Sequence, residues 1–162
     1  MKDEELDEAA RLTVRRLMER RATLVTAESC TGGLIAGAIS AVPGSSAVLH
    51  GGFVTYANDA KTEMLGVPKA TIAFAGAVSR DIAALMAAGA RARTGAGIAV
   101  SVTGIAGPDG GSPEKPVGTV WFGIEDEEGA LQDRRHFPGG RQEIRRAAVL
   151  HALALVRAGV KD

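Results

Sequence analysis

Apolar residues at positions 6, 10, 14, 17 and 18 recur every three or four places among charged neighbours, the stripe of an amphipathic helix over 4–20. The run from Thr23 to Ala27 is short, apolar and β-branched, and predicts a strand. A Ser-Cys-Thr-Gly-Gly turn follows, and then an alanine-rich apolar segment, 34–42, that reads as helix. After Pro43-Gly44, a second strand over 51–56 leads into a short helix over 59–65 that stops at Gly66 and Pro68. Ser79 is a natural N-cap and Asp81 suits the positive end of a helix dipole. Ile82, Leu85, Met86 and Ala90 carry the period of a long helix over 79–93 up to Thr94-Gly95.

The second half changes to runs of period two: 97–102, 117–124 and 131–137 read as strands, the last two joined by an acidic turn over 125–129 into a hairpin. From Gly139 on, Ile144, Ala148, His151 and Leu155 mark a final helix ending near Gly159. Helices on either side of such strands imply an α/β fold, a three-layer α/β/α sandwich around a mixed, mostly parallel sheet of about five to six strands. Residues 1–162 are read as a single domain, because no repeat, charge block or linker divides them. Ligands of open α/β sheets bind in the crevice outside the strand carboxyl ends, which directs attention to the residues there.

Composition narrows the function classes. Lysine plus arginine and aspartate plus glutamate both number 19, so no broad basic field is available for a nucleic-acid backbone. The single cysteine, Cys30, excludes an intrachain disulfide and any multi-cysteine metal site, and it fits a reducing compartment. The acidic N-terminus lacks the apolar core of a signal peptide, and no stretch is apolar for about 18 residues, so a cytoplasmic protein with no membrane partner is expected. No HxxxH, paired CxxC or acidic cluster has metal-ligand spacing, so the expected chemistry needs no metal and no cofactor.

Four segments could carry chemistry. Ser29 leaves the first strand with Thr31, Gly32 and Gly33 opening the next helix, where free N–H groups can hold an oxyanion or phosphate. Taken alone, the pattern is more ordinary as a helix cap. Lys61 stands at the second strand-to-helix junction, where the dipole lowers its proton affinity and partial desolvation makes it a base, although most lysines are solvated surface groups. The run Ser101 to Gly111 leaves a strand into a glycine-rich loop whose backbone can approach a ligand, or which only reverses the chain. Arg141, Arg145 and Arg146 oppose the dipole of the last helix and invite an anion, against the plainer reading of solvated arginines beside Glu143. Cys30 is a second possible nucleophile, for which His50, His136 and His151 offer no clear base. Tyr56 and Trp121 read equally as core or as rings that stack on a flat ligand.

TAESCTGG (26–33), VTYANDAK (54–61) followed by LGV, GAVS (76–79), SVTGIAGPDGG (101–111), KPVGTVWFGI (115–124) and FPGGRQEIR (137–145) occur in this order. Together they resemble the C-terminal domain of the competence- and damage-inducible protein CinA, a family that also includes free-standing nicotinamide-nucleotide amidohydrolases. The resemblance covers nearly the whole chain. It implies hydrolysis of nicotinamide mononucleotide to nicotinate mononucleotide and ammonia by a serine-lysine pair, with Ser29 as nucleophile and Lys61 as base. It also implies that Thr31, Gly32 and Gly33 line the nucleophile and oxyanion pocket, and that Tyr56 and Thr103, Gly104, Ala106 and Gly107 line the substrate pocket. Arg145 would meet the substrate phosphate. A homo-oligomer is implied in the same way, as is the lack of the pyrophosphatase activity that a further N-terminal domain gives longer members. The rival readings are a non-catalytic nucleotide-binding module, since fold alone does not fix function, and an esterase or amidase for another anionic amide.

Overall fold

A computed structural model describes residues 2–159. The chain runs through α1 (Glu4–Glu19), β1 (Leu24–Glu28), α2 (Leu34–Ser40), a 3₁₀ turn (Ser45–Ala47), β2 (Leu49–Val54), α3 (Asn58–Leu65), α4 (Lys69–Ala75), α5 (Arg80–Thr94), β3 (Ile98–Gly104), β4 (Thr119–Asp126), β5 (Gly129–His136) and α6 (Arg141–Gly159). The five strands form one sheet in the order β2-β1-β3-β4-β5. β1 pairs parallel with both β2 and β3, whereas β3–β4 and β4–β5 are antiparallel, so only β4 opposes the common strand direction. The mixed sheet with helices on both sides is the expected architecture.

Each face of the sheet closes its own core. On one face Leu17 of α1, Ile35 and Ile39 of α2, and Ile144 and Leu153 of α6 pack on Val100, Val102 and Phe122. On the other, Ile82, Met86 and Ala90 of α5, with Leu65 of α3 and Ile72 of α4, cover Val25, Ala27 and Ala99. Full burial of each valine, leucine, isoleucine, methionine or phenylalanine among them contributes about 1.5–3 kcal/mol, and this holds the helices against the sheet. β1 and β3 are buried along both faces, hence their continuous apolar runs. Among the described residues no helix is long and apolar enough to cross a membrane.

Three local readings differ from expectation. α4 fills a stretch after Pro68 for which no element was predicted: the proline occupies the N-cap with extended ψ, so it starts a helix. β2 begins two residues earlier and ends two residues before Tyr56, which frees Thr55 and Tyr56 to turn toward α3. The hairpin turn is tighter than 125–129, because Asp126 Oδ1 accepts from the N–H groups of Glu128 (2.8 Å) and Gly129 (3.0 Å) and lets both strands continue to the turn. The predicted end of the last helix at Gly159 coincides with the limit of the described residues.

Since β1, β2 and β3 run in one direction, their carboxyl ends lie along one edge of the sheet. The chain leaves β1 toward β2 on one side and returns past β1 to β3 on the other, which makes this edge the place where neighbouring connections diverge.

Candidate active site

Ser29 follows β1 immediately, its N–H donating to the Val102 carbonyl at 3.0 Å, so the residue is fixed to the end of β3 as well. Lys61 lies in the second turn of α3 and is only 1% exposed, one of the largest fully buried side chains. Its Nζ is 3.1 Å from Ser29 Oγ, 2.9 Å from the Thr55 carbonyl oxygen and 3.3 Å from that of Tyr56. Burial pulls the lysine below its ordinary value of 10.5. Of the two expected influences, the helix dipole and partial desolvation, desolvation is the main cause. A neutral amine carries two N–H bonds, which the two carbonyls can take; its lone pair then faces the serine, whose hydroxyl donates.

Around this pair lies a cavity of about 300 Å³, walled by Tyr56 and Asn58 on one side and by Ala77 and Val78 on another. The end of β3 and the loop after it line it as well, Thr103 to Gly107 with Asp109, Gly110 and Gly111. Thr103 is 1% exposed and its hydroxyl donates to the Ala77 carbonyl at 2.8 Å, tying the 76–78 wall to β3. Gly104 is required by close approach, since a Cβ there would stand 2.8 Å from Val120 Cγ2 and 3.1 Å from Cys30 Sγ. A cavity of about 340 Å³ at the opposite edge, lined by Ile124, Asp126, Leu131 and Leu155 among others, includes no serine, cysteine, lysine or histidine.

The structure distributes the remaining expected site residues unevenly. Tyr56, Thr103, Gly104, Ala106 and Gly107 all line the cavity, while Trp121 does not. Thr31 is buried, with its hydroxyl donating to Glu28 Oε1 at 2.7 Å, and the Gly32 N–H donates to the Ser29 carbonyl at 3.0 Å. Gly32 and Gly33 have φ of +60° and +101°, and they shape the turn without lining the cavity. The N–H groups at the start of α2 are engaged as well, Ile35 and Ala36 donating to Glu28 at 2.9 and 3.1 Å. Among the described residues no carbonyl accepts from the N–H groups of Cys30, Thr31 or Gly33; of these three residues only Cys30 lines the cavity, which makes its N–H a candidate oxyanion donor.

The arginines separate in the same way. Arg146 is compensated within the chain, bonded to Asp3 at 2.6 Å and Glu5 at 2.7 Å, and this pair holds the Asp3 carboxyl down to about 2. Arg145, expected at a substrate phosphate, does not line the cavity: its Nε donates to the Cys30 carbonyl at 3.1 Å and its Nη1 to Gln142. Arg141, one helical turn earlier, does line it, donating to the Gly107 carbonyl (2.7 Å) and the Tyr56 hydroxyl (2.9 Å). Spacing alone cannot choose between two arginines four residues apart, which share a helix face. Cys30 is buried and its thiol is pushed up to about 11 by that burial, which removes it as a rival nucleophile at neutral pH. Asn58, Ala77 and Val78 were not anticipated as lining residues, although the motifs that contain Asn58 and the GAVS segment pointed to their neighbourhood.

The chain has close relatives of known name. A nicotinamide-nucleotide amidohydrolase PncC of Pseudomonas putida is 53% identical over 132 residues, 82% of each chain, and one from Escherichia coli K12 is 49% identical over 154 residues, 94% of this chain and 93% of that one. A CinA-like protein of Geobacter metallireducens is 52% identical over 146 residues; the match takes in 90% of this chain but only 35% of that longer protein. The crystal structure of the competence/damage-inducible protein CihA from Agrobacterium tumefaciens superimposes with a TM-score of 0.93 at 49% identity, covering 98% of this chain and 97% of that one. The model of the CinA C-terminal domain matches residues 6–160, and the chain therefore belongs to the CinA C-terminal domain family.

Proposed function

We propose that the protein hydrolyses the carboxamide of nicotinamide mononucleotide, giving nicotinate mononucleotide and ammonia, with Ser29 as nucleophile and Lys61 as general base. The observation that carries this reading is the 3.1 Å contact between Ser29 Oγ and a buried amine whose other neighbours are two carbonyl oxygens. The names borne by the Pseudomonas and Escherichia relatives supply the substrate. The CinA-like relatives are about three times as long, and nothing of their further activities is carried over.

In the acylation step Lys61 takes the Ser29 proton as Oγ bonds to the carboxamide carbon. The resulting ammonium then gives that proton to the departing nitrogen, so that ammonia leaves and a serine ester remains. A water, deprotonated by the same lysine, attacks the ester; Oγ recovers the proton and the carboxylate product is released. The Cys30 N–H, at the cavity wall, is the donor assigned to the developing oxyanion, a contact whose loss typically costs about 3–4 kcal/mol. Arg141, on the cavity wall, meets the substrate phosphate with help from the N–H groups of the glycine-rich loop.

The test is ammonia and nicotinate mononucleotide release by the purified chain in the presence of EDTA, alongside Ser29→Ala. Turnover lost in the variant supports the amidohydrolase. Binding of nicotinamide mononucleotide without turnover by the wild-type chain refutes it and favours a nucleotide-binding module.

A further inference from the structure

Glu28 is 1% exposed, and among the described residues no cation lies within ion-pair distance of it. Its three partners are neutral donors: the Thr31 hydroxyl and the Ile35 N–H on Oε1, and the Ala36 N–H on Oε2. These lie on both sides of the turn that follows Ser29. Gly33, the N-cap of α2, has no side chain to cap the helix, and Glu28 reaches over from β1 to satisfy the N–H groups that the cap would have served. The same carboxylate holds Thr31 inside the turn. Arg145 braces the turn from the outer side, through the Cys30 carbonyl and its approach to Gly32, where a Cβ would stand 3.6 Å from Nη2.

Successive residues of a strand face opposite sides of the sheet. Glu28 points toward α2, so Ser29 leaves toward α3 and Lys61. We propose that Glu28 is a positioning residue for the nucleophile: by pinning residues 31, 35 and 36 to the end of β1, it fixes the Ser29 rotamer and the Cys30 N–H relative to Lys61. The inference rests on the reading of Ser29 as nucleophile. A carboxylate is needed because three donors converge on it, and an amide in its place would turn an N–H₂ group toward at least one of them.

The test uses the full chain with Glu28→Gln, Thr31→Val and the two combined, each checked for folding by far-UV circular dichroism and Tm. Two rates are read: kcat on nicotinamide mononucleotide, and the labelling of Ser29 by a fluorophosphonate, which bonds Oγ to phosphorus with loss of fluoride and needs no nicotinamide substrate. Glu28→Gln is expected to lower both rates about 30-fold or more, the loss expected when a reacting group is misplaced, while KM and the midpoint of the pH profile stay put. Thr31→Val lowers both rates by less, Thr31→Ser recovers most of that loss, and Thr31→Val has little further effect when Glu28 is already Gln. A Glu28→Gln protein with a lowered Tm but both rates within about threefold of wild type overturns the inference, since Glu28 would then only stabilise the fold. If that variant does not fold, Thr31→Val decides by the same criterion. Wild-type protein labelled at Ser29 yet inactive on nicotinamide mononucleotide refutes the proposed substrate, and the labelling rates still judge Glu28. Wild-type protein that is neither labelled nor active overturns both.

Discussion

Replacing Lys61 by methionine separates what the buried amine does for chemistry from what it does to the fold. Methionine has similar length and no charge, so the packing beneath Ser29 is largely kept. A positioned general base typically contributes about 10²–10⁴ in rate, or about 3–5 kcal/mol, and here the same group also returns the proton to the leaving nitrogen. A fall in kcat of about 10³ is expected. The effect on stability has the opposite character. Burial lowers the folded-state value of Lys61 from 10.5, so between that lowered value and 10.5 the unfolded chain takes up a proton that the folded site refuses. Wild-type stability therefore falls as pH drops through this window and levels off below it. Lys61→Met has no such dependence, and its Tm relative to wild type is expected to rise as pH falls from about 11 toward neutrality. Ammonia release measures the first effect and scanning calorimetry at several pH values the second. A variant that keeps more than about a tenth of wild-type kcat, or a Tm difference independent of pH, would refute the assignment of Lys61 as a desolvated base.

Arg141→Met is expected to raise KM for nicotinamide mononucleotide about 10- to 100-fold, the worth of one charged hydrogen bond, and to leave KM for nicotinamide riboside nearly unchanged; equal effects on both would remove the phosphate contact. The Cys30 thiol, buried and raised to about 11, is expected to resist iodoacetamide in the native protein at pH 8 and to react fully once unfolded, which thiol counting by mass spectrometry reads directly. Gly104→Ala places a methyl group against Val120 and Cys30 and is expected to cost about 1–3 kcal/mol in urea unfolding; an unchanged midpoint would show that the β3 end yields more easily than its contacts imply.

The strands and long helices were legible because burial imprints a period on the sequence: α1 and α5 carry clean stripes, and β1 and β3, covered on both faces, read as unbroken apolar runs. α4 was not legible. KATIAFA is short, begins after a proline normally read as a stop, and leaves Phe74 91% exposed, so no stripe marks it. At the site, the two strand-to-helix junctions marked Ser29 and Lys61 only as candidates, and the resemblance of their motifs named them as a pair; whether their side chains met depended on β2 pairing beside β1, a long-range fact. Arg145 shows the complementary limit. Its motif is plain in the sequence, yet a rotation of one turn along α6 sends Arg141 to the cavity and Arg145 to the Cys30 carbonyl. Glu28 gave no signal of its own, for a carboxylate at the end of a strand is ordinarily solvated, and its donors lie up to eight residues away.

Tyr56 serves the cavity at both ends at once. Its carbonyl accepts from the Lys61 amine, while its hydroxyl accepts from the Arg141 guanidinium. An anion that draws Arg141 toward itself competes with the phenol for that guanidinium, and the residue thereby loosened is one of the two that hold the base. On the proposed reading of Arg141 and Lys61, recognition at one end and proton affinity at the other would share a single lever, so that a cargo lacking an anionic tail would find the amine set differently from one that carries it.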